Sequence, residues 1–232
     1  MSMTRTDYAT WAAERSAPRL TDWLREISEH DWSAVVNHPL FDALAGGSLT
    51  GEAFADYMVQ DYGFVDPFTA LLGNAIGHAP EMADRVVLGQ FVGMLTSDED
   101  SVFQRTFEAF GVPEATRNAP AYLPATASFR HLLRETGASA SYAQMLTVLV
   151  VTEWLYLGWA TRITRAETLD PLYDEWIGLH DNQSFQAFVA WLRRRLEEVA
   201  ETLDEAEFTR MIERFRETVA RERAFHDAVY PG

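Results

Sequence analysis

Three carboxylates stand where a helical pattern calls for apolar side chains. Glu153 interrupts the run from Met145 to Trp159, which is otherwise Leu, Val, Thr, Trp, Tyr and Gly. Asp61 falls between Tyr57 and Phe64, four residues after the first and three before the second. Glu222 lies on the stripe Phe215, Val219, Glu222, Phe225. An ionised carboxylate left alone among apolar side chains is costly, so each must be paired, hydrogen-bonded, protonated or turned toward a wet cavity. Brought together in a low dielectric, such groups repel, and at least one pKa rises until the group can serve as a general acid near neutral pH. A cavity walled by aromatics and acids suits a flat, nitrogen-rich base that stacks on rings and donates to carboxylates.

Each residue also has a plainer reading. Glu153 could be one half of a core ion pair with an arginine, and Glu222 could pair with Arg221 or Arg223. Asp61 could be a helix-surface aspartate. Tyr62, Tyr156 and Tyr173 could be ordinary core or boundary tyrosines, and His180 could close a helix where an imidazolium favours the dipole. Tyr156 is three residues from Glu153, so a helix sets the two on one face. The convergence of the three acids is an expectation about tertiary structure.

The elements that must position these residues are helical throughout. No stretch shows sustained strand alternation, and 3.6-residue periodicity recurs along the chain. A first pattern covers about Tyr8 to Glu29, interrupted near Pro18, and His38-Pro39 breaks the next segment. After the Gly46-Gly47-Ser48 turn a long helix runs from about Thr50 to His78 with Pro67 inside it, where a kink is expected. Pro80 restarts a helix that ends near Gly111. Another covers Ala125 to Glu135 and is stopped by Gly137. The helix carrying Glu153 starts at Ser139 or Ser141, and Asp170-Pro171 opens a shorter one reaching His180. Asn182 or Ser184 begins the next, and Asp204 with Glu207 forms a capping box for the last. Without repeat, low-complexity tract or linker, residues 1–232 are expected to form one all-α domain with more helices than a four-helix bundle.

Composition narrows the function classes. The 232 residues carry a net charge of −16, which sets the chain against nucleic acid and anionic membranes as main partners. All 19 basic residues are arginine, so no lysine is present for Schiff-base chemistry or a nucleotide loop. Cysteine is absent, which excludes disulfides, thiolate metal sites and a cysteine nucleophile. The segment Met1–Asp7 lacks the apolar core of a signal peptide, and no apolar run reaches the ~18 residues of a membrane span. A cytoplasmic location is expected.

Trp32, His38-Pro39-Leu40-Phe41, Gly47-Ser48-Leu49, Phe54 and Tyr57-Met58-Val59-Gln60-Asp61-Tyr62 resemble the N-terminal signature of the TenA / thiaminase II family. Glu153-Trp-Leu-Tyr156 with Trp159 is similar to the family's central motif, and Tyr173, Trp176-Ile177, His180, Phe185 and Glu222-x-x-Phe225 follow in family order. The resemblance implies the haem-oxygenase-like all-α fold, a homodimer or homotetramer, and removal of the amine from thiamin-derived aminopyrimidines or cleavage of thiamin. By resemblance Asp61 binds the pyrimidine edge, Glu222 is the acid/base glutamate and Tyr156 the tyrosine of the central helix; Glu153 joins them as a catalytic carboxylate. Asp61, Tyr62, Phe64, Thr152 and His180 form the expected substrate-contacting set. Thr152 stands where the better-known branch has its cysteine nucleophile, and Phe64 and His180 stand where it has tyrosines. These departures resemble a cysteine-less branch and point to an aminopyrimidine or its N-formyl derivative as substrate, hydrolysed without cofactor or metal.

Two other classes remain open. A helical di-iron oxygenase needs about six Glu, Asp and His ligands, including Glu-x-x-His pairs or similar spacings, whereas His78 and His226 lack partners at such spacing, although Glu222 and His226 are four apart. A haem protein would need an axial ligand, for which His30 or His38 could be proposed. A non-catalytic pyrimidine binder would keep the pocket without turnover.

Overall fold

The computed structural model describes residues 3–231; Met1, Ser2 and Gly232, the ends of the expected 1–232 domain, lie outside the described residues. Thirteen α-helices and one π-helical turn make up the regular structure, with no strand among the described residues. Their order is α1 Arg5–Ala13, α2 Leu20–Glu26, α3 Glu29–Val36, α4 Pro39–Ala45, α5 Gly51–His78, α6 Met82–Met94, the π turn Leu95–Glu99, α7 Asp100–Ala109, α8 Glu114–Asn118, α9 Pro124–Ala138, α10 Tyr142–Arg162, α11 Pro171–Asp181, α12 Gln183–Ala200 and α13 Glu205–Val229.

Helix α10 is the axis. It is buried without interruption from Tyr142 to Leu155, as expected of a helix apolar all round. It packs against α3, α5, α9, α11, α12 and α13, so most of the functional helices meet it directly. Side-chain caps set the ends. Thr50 accepts the Ala53 N–H, Ser141 the Gln144 N–H, Asn182 the Phe185 N–H and Asp204 the Glu207 N–H. Each satisfies one of the four donors a helix start leaves open. At α10 the choice between Ser139 and Ser141 falls to Ser141, because Ala140 takes a positive φ of 56° and turns the chain between the two helices.

Three expectations about boundaries need correction. The α6 helix begins at Met82 rather than with Pro80 in its first turn, since Pro80 precedes the Glu81 cap. The segment to Gly111 is not one helix of constant pitch: the π turn at Leu95–Glu99 divides it. Gly137 does not stop α9, which runs on to Ala138. Its role is packing: a Cβ there would stand 3.3 Å from Asn74 Nδ2 and 3.6 Å from the Leu71 backbone, so glycine lets α9 lie close on α5. Pro67 is accommodated within α5 as a continuous helix. Among the described residues no helix is long and apolar enough to cross a membrane.

Candidate active site

Four helices converge on one chamber. Asp61 and Phe64 come from α5, Thr152, Glu153 and Tyr156 from α10, His180 from α11 and Glu222 from α13, and all line it. Apolar side chains of α5, α6 and α9, among them Phe68, Phe91 and Phe129, complete the wall. Phe64 meets Phe225 edge-on at 4.9 Å and Phe129 at 5.0 Å between ring centroids, which holds an aromatic surface beside the acids. The cavity volume is about 70 Å³. At roughly 10–15 Å³ per water centre this is about five waters, and at roughly 30 Å³ of liquid per water it equals about 150 Å³ of ligand. That is one small substituted ring.

Among the described residues no arginine forms an ion pair with any of these acids. Arg221 donates to Ser128 and Glu217, and Arg223 to Asp31. The ion-pair readings of Glu153 and Glu222 therefore fail on geometry. Asp61, 6% exposed, accepts a 2.6 Å hydrogen bond from the Tyr156 hydroxyl. With that proton committed, the Tyr57 hydroxyl at 3.4 Å donates to Tyr156 in turn. Burial raises the Asp61 pKa to about 7 against the lowering effect of the Tyr156 bond. A half-protonated carboxyl can accept with one oxygen and donate with the other, the complement of an aminopyrimidine edge.

Glu153 is pushed to about 8, first by burial and then by the Asp61 charge, while the Thr152 hydroxyl opposes the rise. Thr152 Oγ1 lies 3.2 Å from Glu153 Oε1, 3.1 Å from the Val148 carbonyl and 3.2 Å from the Leu149 carbonyl. One hydroxyl proton cannot serve three acceptors. A protonated Glu153 that donates to Thr152, which then donates to the helix carbonyls, resolves the conflict. Glu222, 2% exposed, lies well above the ordinary range because of burial, then the charges of Asp61 and Glu153. Its nearest cationic candidate, His226 Nδ1 at 3.8 Å, donates instead to the Glu222 backbone carbonyl at 2.8 Å. Burial holds His226 neutral, with a pKa of about 3.

His180 is likewise neutral, lowered to about 4 by burial. Its Nδ1 donates to the Trp176 carbonyl at 2.9 Å, which leaves Nε2 an acceptor at the chamber wall. It is no dipole-balancing cation at a helix end. Tyr62 is the one expected contact residue outside the chamber. Its hydroxyl donates to Asp100 Oδ1 at 3.0 Å, and its ring packs on Phe103 and Phe107, because it is one position past Asp61 on α5 and so faces α7. Tyr173 donates to the Leu49 carbonyl and is structural.

Sequence reasoning missed Glu99, which also lines the chamber. The signal was present in the ridge Phe91, Leu95, Glu99, Phe103, a carboxylate among apolar residues every fourth position. It is masked by the acidic run Asp98-Glu99-Asp100, which reads as a solvated surface. Among the described residues no group of three His, Cys, Asp or Glu is arranged to hold a metal ion.

Comparison with known proteins agrees with this architecture. Residues 25–231 match the profile of the TENA/THI-4/PQQC family. The aminopyrimidine aminohydrolase of Bacillus subtilis (strain 168) is 21% identical over 85% of this chain and 84% of its own. That of Helicobacter pylori is 20% identical over 91% of this chain and 99% of its own. Among solved structures, a TenA homologue from Pyrococcus furiosus superposes with a TM-score of 0.81 at 22% identity, covering 90% of this chain and 99% of that one. A protein described as a TenA family transcription regulator from Silicibacter sp. TM1040 gives 0.78 at 24% identity, covering 90% and 95%. The helical, haem-oxygenase-like fold expected from the sequence is thus the fold observed, and the chain belongs to the TENA/THI-4/PQQC family.

Proposed function

We propose that the chamber hydrolyses a thiamin-derived aminopyrimidine, 4-amino-5-aminomethyl-2-methylpyrimidine or its N-formyl derivative, as a salvage enzyme. The observation that carries this reading is the gathering of Asp61, Glu153 and Glu222 in one small cavity without a cationic partner, beside Tyr156 and a neutral His180. The names of the two curated relatives, aminopyrimidine aminohydrolase, support it at low identity.

In this reaction Asp61 holds the ring amino group and ring nitrogen, and Phe64 offers its face to the ring. Glu222 as the neutral acid gives its proton to the departing amine. Glu153, ionised once a positively charged ligand occupies the site, takes a proton from the attacking water, and Tyr156 keeps Asp61 oriented. The C–N bond breaks with its electron pair going to nitrogen, the C–O bond forms from water, and ammonia and the hydroxymethylpyrimidine leave. With the N-formyl substrate the same pair would cleave the amide. The reading includes a cytoplasmic homodimer or homotetramer acting without cofactor.

Ammonia or formate release from the two pyrimidines, assayed beside thiamin cleavage, tests the proposal. Glu222→Gln and Glu153→Gln should each lower turnover at least ~100-fold with the fold intact, since a positioned acid or base contributes 10²–10⁴-fold. Near-normal rates in both variants would overturn it. Tight pyrimidine binding without turnover would favour a binder, and metal-dependent turnover a di-metal oxygenase.

A further inference from the structure

Glu99 is not needed by the mechanism above, yet the fold goes to some length to place it. In a regular α-helix, residues four apart drift by roughly 40° per step, so a ridge at every fourth position winds off its face. The wider i→i+5 closure of the π turn at Leu95–Glu99 takes in more residues and cancels part of that drift. Phe91, Leu95, Glu99 and Phe103 therefore all face the chamber. The turn is clamped from behind: Tyr62 of α5 donates to Asp100, and Gln104 Nε2 donates to both Tyr62 Oη and Asp100 Oδ1, at 3.1 and 3.2 Å. This gives Tyr62, which lies outside the chamber, a purpose in its architecture.

The Glu99 carboxyl itself has no hydrogen bond or ion pair with any described residue, although its neighbour Asp100 accepts two hydrogen bonds at Oδ1. Inside the chamber it faces further acids and no cation. Glu222, 98% hidden from solvent and with no hydrogen bond to its carboxyl, points into the same space. The charges of Glu153 and Asp61 both bear on Glu99, and the same two bear on Glu222, as expected of acids that line one chamber.

Resting on the aminopyrimidine reading, we infer that Glu99 is a specificity-determining residue that accepts hydrogen bonds from the primary ammonium of the substrate's side arm, so that the chamber selects the aminomethyl compound over neutral-armed pyrimidines. An alkylammonium presents three donors and a positive charge to an acid that otherwise has none. A formamide or hydroxymethyl arm offers one donor and no charge.

Calorimetric binding of aminomethylpyrimidine and of its hydroxymethyl counterpart to the wild-type protein, Glu99→Gln and Asp98→Asn tests this. The wild type should prefer the ammonium compound, and Glu99→Gln should reduce that preference about 10- to 100-fold, the value of a charge-assisted hydrogen bond. Asp98→Asn removes a carboxyl group one residue away, outside the chamber, and should leave the preference unchanged. Equal affinity of the wild type for the two compounds, an undiminished preference in Glu99→Gln, or an equal loss in Asp98→Asn would each overturn the inference while leaving the aminopyrimidine reading intact. Failure of both compounds to bind the wild type would sink that reading and the inference together. Matching thermal midpoints of the three proteins would separate lost recognition from lost fold.

Discussion

Replacing Glu153 by glutamine should make the protein more stable at alkaline pH, and the size of the gain follows from its burial. In the folded chain the Glu153 pKa rises from 4.5 to about 8, so the folded state keeps a proton that the unfolded chain has lost. The stabilising contribution is complete below about pH 4.5 and disappears as the pH rises toward 8, with a slope of about 1.4 kcal/mol per pH unit. From pH 5 to 8 the loss from this single group approaches about 4 kcal/mol. Because Asp61 and Glu222 titrate with it, the protons leave jointly and about 2–4 kcal/mol is the expected range. Glutamine has the shape of the protonated acid and can donate to Thr152, so the two proteins should coincide near pH 5. Urea unfolding at pH 5 through 9, with equal denaturant slopes, measures the difference. The variant should pull ahead as the pH rises. Parallel stability curves, or a variant that is the weaker protein at pH 9, would refute the assignment of Glu153 as a buried, protonated acid.

Other outcomes follow from the same geometry. Tyr156→Phe removes the 2.6 Å bond that opposes the rise in the Asp61 pKa, so the Asp61 titration followed by carboxyl NMR should move upward by about 1–2 pH units, taking 1.5–3 kcal/mol for a hydrogen bond to a charge; an unmoved titration would contradict the proton path drawn here. Asp84→Ala removes the buried one of three carboxylates on Arg195, leaving Glu198 at 2.9 Å and Glu81 at 3.4 Å, and should cost about 1.5–3 kcal/mol in unfolding free energy while the remaining folded protein keeps its kcat. Turnover should survive exhaustive chelation, since His226 Nδ1 is held by the Glu222 carbonyl; loss restored by one metal would instead favour the oxygenase reading.

How much of this was legible beforehand depends on the range of the interaction. Helix starts at Thr50, Ser141, Asn182 and Asp204 rest on a side chain bonding its own chain three residues on, and such signals are written locally. The all-α class and the burial of α10 follow equally from local pattern, because an apolar run of that length has no polar face to show to water. Gly137 was misread for want of a partner: only the approach of α5 distinguishes a packing glycine from a helix stop. Glu99 was hidden by its acidic neighbours, and the π turn that exposes it to the chamber depends on how α6 and α7 are pinned against α5.

The residue types of the acids, and the periodicity that puts them on apolar stripes, are properties of the amino-acid sequence alone. Whether those stripes face one another is not, because it depends on packing among helices as far apart along the chain as α5, α10 and α13. Tertiary structure also decided the protonation states. Exclusion of water, far more than any neighbour in the chain, lifts Asp61, Glu153 and Glu222 and lowers His180. Solvent exclusion belongs to the assembled chamber and to no segment of it.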